Sequence, residues 1–103
     1  MTQKEMVDGM VKAVKQKASN EGLSQLDVLR WCKEKMDEQR HVLNVYEAET
    51  IHKLKKASSN SEHKAIYSER EPRKESLAKA CSIAEDVFRK IESAYRRSKR
   101  RAV

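Results

Sequence analysis

The sequence predicts an all-α protein, an antiparallel helical bundle of three long helices plus one short helix. The chain of 103 residues has only two glycines and one proline, too few to build the turns of a sheet. Hydrophobic and charged residues each make up 38%, a balance typical of helices with one buried and one solvated face. Apolar residues also recur every three or four positions in three stretches. We expect one helical domain over residues 1–95 and a basic C-terminal tail over residues 96–103.

The first helix has clear start and stop signals. Thr2 and Glu5 match a capping box, and Gly22 is suited to the left-handed position that ends a helix. Gly9 lies beside the apolar stripe, and close approach of another backbone would explain a glycine there. The stripe itself consists of Met6, Val7, Met10, Val11, Val14 and Ala18.

A second, much longer helix is predicted from Ser24 to Ala57. Ser24 and Asp27 provide the N-terminal signal, and no glycine or proline interrupts the chain before Pro72. Its main apolar face is predicted to comprise Leu26, Leu29, Cys32, Met36, Leu43, Tyr46, Thr50, Ile51, Leu54 and Ala57.

The same helix carries a second apolar face. Trp31, Val42 and Val45 lie about 160–220° from Leu29 when each residue turns the helix by 100°. A helix with two apolar faces requires two neighbours. We therefore expect Trp31 to be buried, either against another helix of the bundle or against a second chain in a homodimer.

The third part of the chain is predicted to be interrupted. Residues 57–62, "ASSNSE", favour a loop, and Ser59 can cap a short third helix. Pro72 disfavours helical geometry at Glu71, so a break is expected at 70–72. The last helix follows, with a regular apolar series at Leu77, Cys81, Ala84, Phe88, Ile91 and Tyr95, flanked by Ala80, Val87 and Ala94.

No catalytic, metal or cofactor site is predicted, and we expect a protein that is not an enzyme. His41, His52 and His63 recur every eleven residues, which places them about 16 Å apart along a helix, too far to share one metal. Cys32 and Cys81 lie far apart in the sequence and form no CxxC pair. We interpret both as reduced thiols, which favours a cytoplasmic or nuclear location. No apolar run is long enough to span a membrane.

Positive charge is concentrated at one end of the chain. The net charge is +7, and residues 76–103 carry eight basic against three acidic side chains. In an antiparallel bundle the end of helix 1, the start of helix 2 and the end of the last helix meet at one pole. The basic side chains expected there are Lys12, Lys15, Lys17, Arg30, Lys33, Arg96, Arg97, Lys99, Arg100 and Arg101.

This basic pole favours binding to the phosphate backbone of RNA or DNA with little sequence specificity. Only five residues are aromatic, and most of them lie on apolar faces, so base stacking is not predicted. Size and charge would suit a small regulator or suppressor. The alternative is a protein–protein interaction module or inhibitor that uses the Trp31 face, with the basic end serving solubility or targeting.

Overall fold

A computed structural model describes residues 1–101 and contains three helices. They are α1 (Gln3–Glu21), α2 (Gln25–Lys56) and α3 (Asn60–Arg101), and no strand occurs within these residues. The all-α bundle predicted from the sequence is therefore confirmed.

The predicted ends of the first two helices are also confirmed. The Thr2 and Ser24 hydroxyls accept hydrogen bonds from the amides of Glu5 and Asp27, 3.2 and 3.1 Å away. At the end of α1, Gly22 adopts a left-handed conformation with φ of 67°, and its amide donates to the Ala18 carbonyl. Each cap satisfies backbone groups that have no partner inside the helix.

The predicted break at 70–72 and the separate short helix are wrong. α3 runs for 42 residues with Pro72 inside it, so the residues assigned to a short helix form its first turns. Proline removes the amide that would bond to the Ser68 carbonyl, at a cost of up to about 3 kcal/mol. Packing along α2 on both sides of Pro72 offsets this local cost. Tyr46 contacts Arg70 before Pro72, and Arg40 is paired with Glu85 after it, so α2 holds α3 on both sides.

Contacts between the helices define their directions. Arg40 on α2 is paired with Glu85 on α3, whereas the Leu54 carbonyl lies 3.0 Å from the His63 ring, so these helices are antiparallel. α1 runs parallel to α3 and lies against its C-terminal half. Gln3 donates hydrogen bonds of 3.0 Å to Ser82 and Asp86, and Lys90 donates a hydrogen bond to Asp8.

These directions divide the elongated molecule of 62 × 26 × 24 Å into two parts. In the three-helix part, residues 1–36 and 77–101, α1 packs beside the other two helices. In the distal hairpin, residues 37–76, α2 and α3 continue without a third helix. The division follows from length, because 19 residues of α1 extend about 28 Å and 32 residues of α2 about 48 Å.

The buried core lies in the three-helix part. It is formed by Val7 from α1, Val28 and Cys32 from α2, and Ile83, Val87 and Ile91 from α3. Val28 and Ile83 were not on the predicted apolar faces. They are buried because they belong to the cluster that contains Val7 of α1. The most regular apolar series on α2 and α3 is centred on a different face of each helix. Conversely, Leu26, Ile51 and Met10 were predicted on buried stripes but are 38%, 53% and 49% exposed.

The distal hairpin is joined by a polar layer, and among the described residues none between Met36 and Leu77 is buried. The Arg70 side chain is only 12% exposed. Its Nε donates to Thr50 Oγ1 over 2.6 Å, and its guanidinium lies 4.0 Å from the centroid of the Tyr46 ring. Hydrogen bonds and a cation–π contact thus connect the helices where apolar burial is weak.

The expected backbone approach at Gly9 is not present. A Cβ atom added at Gly9 would meet no atom within 4 Å, and the residue is exposed. Gly22 is equally open, but its positive φ gives it a conformational reason to be glycine.

Candidate nucleic-acid interface

The ends of α1 and α3 and the start of α2 meet at one end of the molecule. They surround a cavity of about 230 Å³ whose lining combines all three helices: Lys15, Ala18, Leu23, Gln25, Val28, Ile91, Ala94 and Tyr95. The helix directions therefore bring together three chain segments that are far apart in sequence. We call this end of the three-helix part the basic pole.

All ten basic residues predicted at this pole are solvent-accessible, most of them fully exposed. Lys12 and Lys15 lie on α1, and Arg30 and Lys33 lie on the side of α2 that faces away from the core. Lys17 differs from them, because its ammonium lies 5.0 Å from the centroid of the Trp31 ring. The ten side chains belong to three different helices and therefore do not lie on one helix face.

Residues 96–101, assigned to a C-terminal tail by the sequence analysis, are the last turns of α3, while residues 102 and 103 lie outside the described residues. The helix turns by 100° per residue, so the five cations here spread over about 200° of its circumference. Arg96 lies 3.8 Å from Glu92, and Lys99 lies over the ring of Tyr95. Arg100 and Arg101 complement the negative end of the helix dipole.

The structure adds basic residues that the sequence analysis missed. Lys4, Arg89 and Lys90 line a cleft of about 360 Å³ between α1 and α3, together with Gln3 and Asp86. Arg89 and Lys90 are paired with Asp86 and Asp8. These cations come together only through the parallel packing of α1 on α3, so no local pattern in the sequence marks them.

Asp8, the partner of Lys90, is surrounded by the positive charges of several lysines. The hydrogen bond from Lys90 holds the pKa of the Asp8 carboxyl below its usual range, and the charges of Lys90, Lys4 and Lys12 lower it further. Three lysines therefore act on one exposed carboxylate. Cations that surround a single acid in this way leave an excess of positive charge around it.

The two parts of the molecule differ sharply in charge. Residues 1–36 and 77–101 carry 15 Lys and Arg against 8 Asp and Glu, a net charge of +7. The distal hairpin carries 8 of each and is neutral. The whole net charge of the protein therefore belongs to the three-helix part.

Trp31 lines an apolar groove formed by α1, α2 and α3. The groove has a volume of about 340 Å³, and its lining includes Met6, Met10, Val14, Ile83 and Ala84. Trp31 touches the edge of α1 but remains 36% exposed, so its predicted burial by another helix of this chain is wrong. The reason is that α1 packs mainly against α3 and only lightly against α2.

Val42 and Val45, predicted on the same interface, are 45% and 41% exposed. They lie on the distal hairpin, beyond the N-terminus of α1, on the side of α2 that carries Trp31. The predicted face therefore exists as one continuous strip along α2. Within residues 1–101 no helix covers its distal half.

The cysteines and histidines do not converge. Cys32 and Cys81 are both buried and free, and burial raises the pKa of each thiol, with Glu85 adding to the effect at Cys81. In the described part of the chain, no group of three or more His, Cys, Asp or Glu side chains is placed to hold a metal ion. His63 instead contacts the Leu54 carbonyl and links the helices of the hairpin.

Two findings concern the protein as a whole. Over residues 1–101, no helix combines the length and apolar character needed to cross a membrane. No protein-family model, no curated protein and no solved structure matches the chain.

Proposed function

We propose that the protein binds nucleic acid through the basic pole, by contacts to the phosphate backbone. The observation that supports this most directly is the separation of charge, with +7 on the three-helix part and none on the distal hairpin. A net charge of this size concentrated at one end raises the local concentration of a polyanion and favours association. Solubility alone would be served equally well by charge spread over both parts.

The kind of contact follows from the side chains available. Exposed Lys and Arg side chains suit phosphate oxygens, and releasing counterions from the nucleic acid supplies the free energy of binding. Tyr95 and Phe88 are half-buried, and Trp31 is a single, partly exposed ring flanked by Lys17 and Lys35, so the basic pole offers no row of aromatic rings on which successive bases could stack. Binding is therefore directed at the backbone, tolerates duplexes and depends weakly on sequence.

In this proposal the protein is not an enzyme. It acts as a small regulator or suppressor in the cytoplasm or nucleus, by covering RNA or DNA. Two buried cysteines that form no disulfide are consistent with such a location.

The decisive experiment compares two variants with the same net charge. In the first, Arg96, Arg97, Lys99, Arg100 and Arg101 are all replaced by Gln. In the matched control, five cations of the distal hairpin are replaced by Gln instead: Lys53, Lys55, Lys56, Lys64 and Lys74. Binding of fluorescent RNA and DNA duplexes is measured by anisotropy over a series of salt concentrations.

The first variant should bind more weakly to every sequence. On DNA, the slope of log affinity against log salt should fall by about 0.9 for each phosphate that the variant no longer neutralises. The control should retain most of the affinity and slope of the parent protein. Equal weakening in both variants would assign binding to net charge and not to the basic pole. Absence of binding by the parent protein would reject the proposal.

The Trp31 strip supports a second candidate function, protein–protein interaction. A tryptophan that is more than one-third exposed beside Met10 and an apolar groove is typical of a surface that contacts another protein. This surface is separate from the cations of α3, and of the ten cations at the basic pole Lys17 contacts the Trp31 ring.

A further inference from the structure

One strip of α2 combines apolar and charged side chains that remain exposed. Trp31, Lys35, Glu38, Val42 and Val45 fall within about 80° of arc on the helix. The side chains of Lys35 and Glu38 are 51% and 62% exposed, and they form an ion pair of 3.4 Å within the helix. The strip begins at the groove beside α1 and continues along the distal hairpin.

This strip is complementary to itself. Trp31 and Val42 lie at equal distances on either side of a point between Met36 and Asp37, and Lys35 and Glu38 share the same midpoint. When two copies of α2 run antiparallel about this point, Trp31 of each lies level with Val42 of the other. Each Lys35 then lies level with a Glu38, so both the apolar and the charged pairs match.

We propose that this strip is the interface of a homodimer in which the two α2 helices pack antiparallel. A twofold axis makes every contact occur twice, so two apolar pairs and two opposite-charge pairs form in a single register. The second copy fits this strip because its own α2 supplies both an apolar residue for Trp31 and a carboxylate for Lys35.

The residues around the strip also favour a second copy of the chain as the partner. Met10 of α1 is 49% exposed and lines the groove with Trp31, so a helix lying along α2 would cover it as well. In this register Val45 of the second copy lies one turn beyond Trp31, level with the core residue Val28, and so also falls along the interface. Four exposed apolar side chains of each chain would thereby be removed from water, which favours association. The dimer does not rest on the proposed binding of nucleic acid.

Exchanging charges between two variants tests both the dimer and its register. Lys35→Glu places only carboxylates at the charged pairs, and Glu38→Lys places only ammonium groups there. Each variant alone should dimerise about tenfold more weakly than the parent protein, because two attractive pairs become repulsive. An equimolar mixture should recover tight association, since every Glu at 35 or 38 then faces a Lys.

Sedimentation equilibrium over about a hundredfold range of concentration measures the association. Lys33→Glu is the matched control, because it makes the same charge change on the opposite side of α2 and should leave the dimer unchanged. Circular dichroism confirms that each variant is folded. A parent protein that stays monomeric over the whole range, or a mixture that associates no more tightly than its components, would overturn the proposal.

Fluorescence of the single tryptophan gives an independent readout. Iodide should quench Trp31 in dilute protein, because the ring is exposed and the ammonium groups of Lys17 and Lys35 lie 5.0 and 5.7 Å from its centroid. Quenching should fall as the concentration of protein rises, because the second copy covers the ring. Dimerisation that leaves iodide quenching unchanged would place the interface elsewhere and overturn the proposal.

Discussion

Tyr46 and Arg70 bind each other at both main chain and side chain. The Tyr46 hydroxyl donates to the Arg70 carbonyl over 3.1 Å, while Arg70 Nη2 donates to the Tyr46 carbonyl over 3.4 Å. The guanidinium also lies over the Tyr46 ring. This reciprocal pair fixes the register of α2 against α3 in the distal hairpin, where no third helix adds apolar burial.

Breaking this pair should destabilise the protein. We expect Tyr46→Phe to lower the free energy of unfolding by about 0.5–1.5 kcal/mol, the net contribution of one hydrogen bond. Arg70→Ala should cost more, about 1–3 kcal/mol, because it removes hydrogen bonds of a charged group and the cation–π contact. Urea unfolding measures both changes. Tyr67→Phe, on a ring that is 54% exposed, is the control and should have little effect. Equal stability of all three variants would show that the pair contributes nothing.

Replacing Pro72 should stabilise the protein. In Pro72→Ala the restored amide can donate to the Ser68 carbonyl, so we expect a gain of about 1–3 kcal/mol in the free energy of unfolding. The measurement is thermal unfolding followed by circular dichroism. Arg73→Ala, at the next exposed position, controls for the helix propensity of alanine. If Pro72→Ala is no more stable than this control, α3 is not continuous at this point.

The two glycines should respond in opposite directions to alanine. Gly9→Ala should raise the free energy of unfolding by about 0.5–1 kcal/mol, because the added methyl meets open space and alanine favours the helix. Gly22→Ala should lower it by about 1–2 kcal/mol, because φ of 67° is unfavourable for a residue with a Cβ. Denaturant titrations of the two variants, run side by side, give the signs. A stabilising Gly22→Ala would contradict the observed helix cap.

The thiols should make the stability of the protein sensitive to alkaline pH. Burial raises the pKa of Cys32 and Cys81 above their ordinary value of 9.0, so the folded protein keeps them neutral where the unfolded chain ionises. The contribution of the neutral thiols to the free energy of unfolding is therefore fully present below pH 9.0 and is lost as the pH rises through the raised pKa values of the folded protein.

The contribution of the thiols can be isolated by comparison with a Cys32→Ala, Cys81→Ala double variant. The difference in unfolding free energy between the parent and the variant should be constant near neutral pH and should decrease in favour of the variant above about pH 9. All other titratable residues are the same in the two proteins, so their effects on stability largely cancel in this difference. A difference that is independent of pH up to strongly alkaline conditions would contradict the effect of burial on the thiols.

Much of the fold could be predicted because its signals are local. Thr2, Ser24 and Gly22 act within a few residues along the chain, and a cap depends on hydrogen bonds to the next turn. The apolar periodicity of α1 and of the second half of α3 likewise reflects one buried face on each helix. The prediction at Pro72 was wrong for the complementary reason: the local preference for a break competes with packing along α2, and sequence spacing carries no measure of that packing.

The candidate site likewise has features that the sequence predicts and features that only packing creates. Composition and order alone concentrate positive charge near the end of the chain, and a run as polar as Arg96–Arg101 is expected to be accessible wherever it lies. Lys4 and Lys12 each lie one turn from Asp8 on α1, which the sequence alone shows, but Lys90 joined them only when α1 packed parallel to α3. Charges on separate helices become neighbours through the register of those helices, which no segment encodes by itself.

The first two helices, their caps and the basic C-terminal run were thus readable from the amino-acid order, because these properties depend on neighbours within a few residues. The burial of Val28 and Ile83 and the exposure of Trp31 were not, and they emerged only from the packing of the three helices. Burial depends on which face of a helix another helix covers, and α1 is too short to cover both parts of the α2–α3 hairpin. The exposure of Val42 and Val45 follows from that difference in length, whereas Trp31 is exposed because α1 packs mainly against α3.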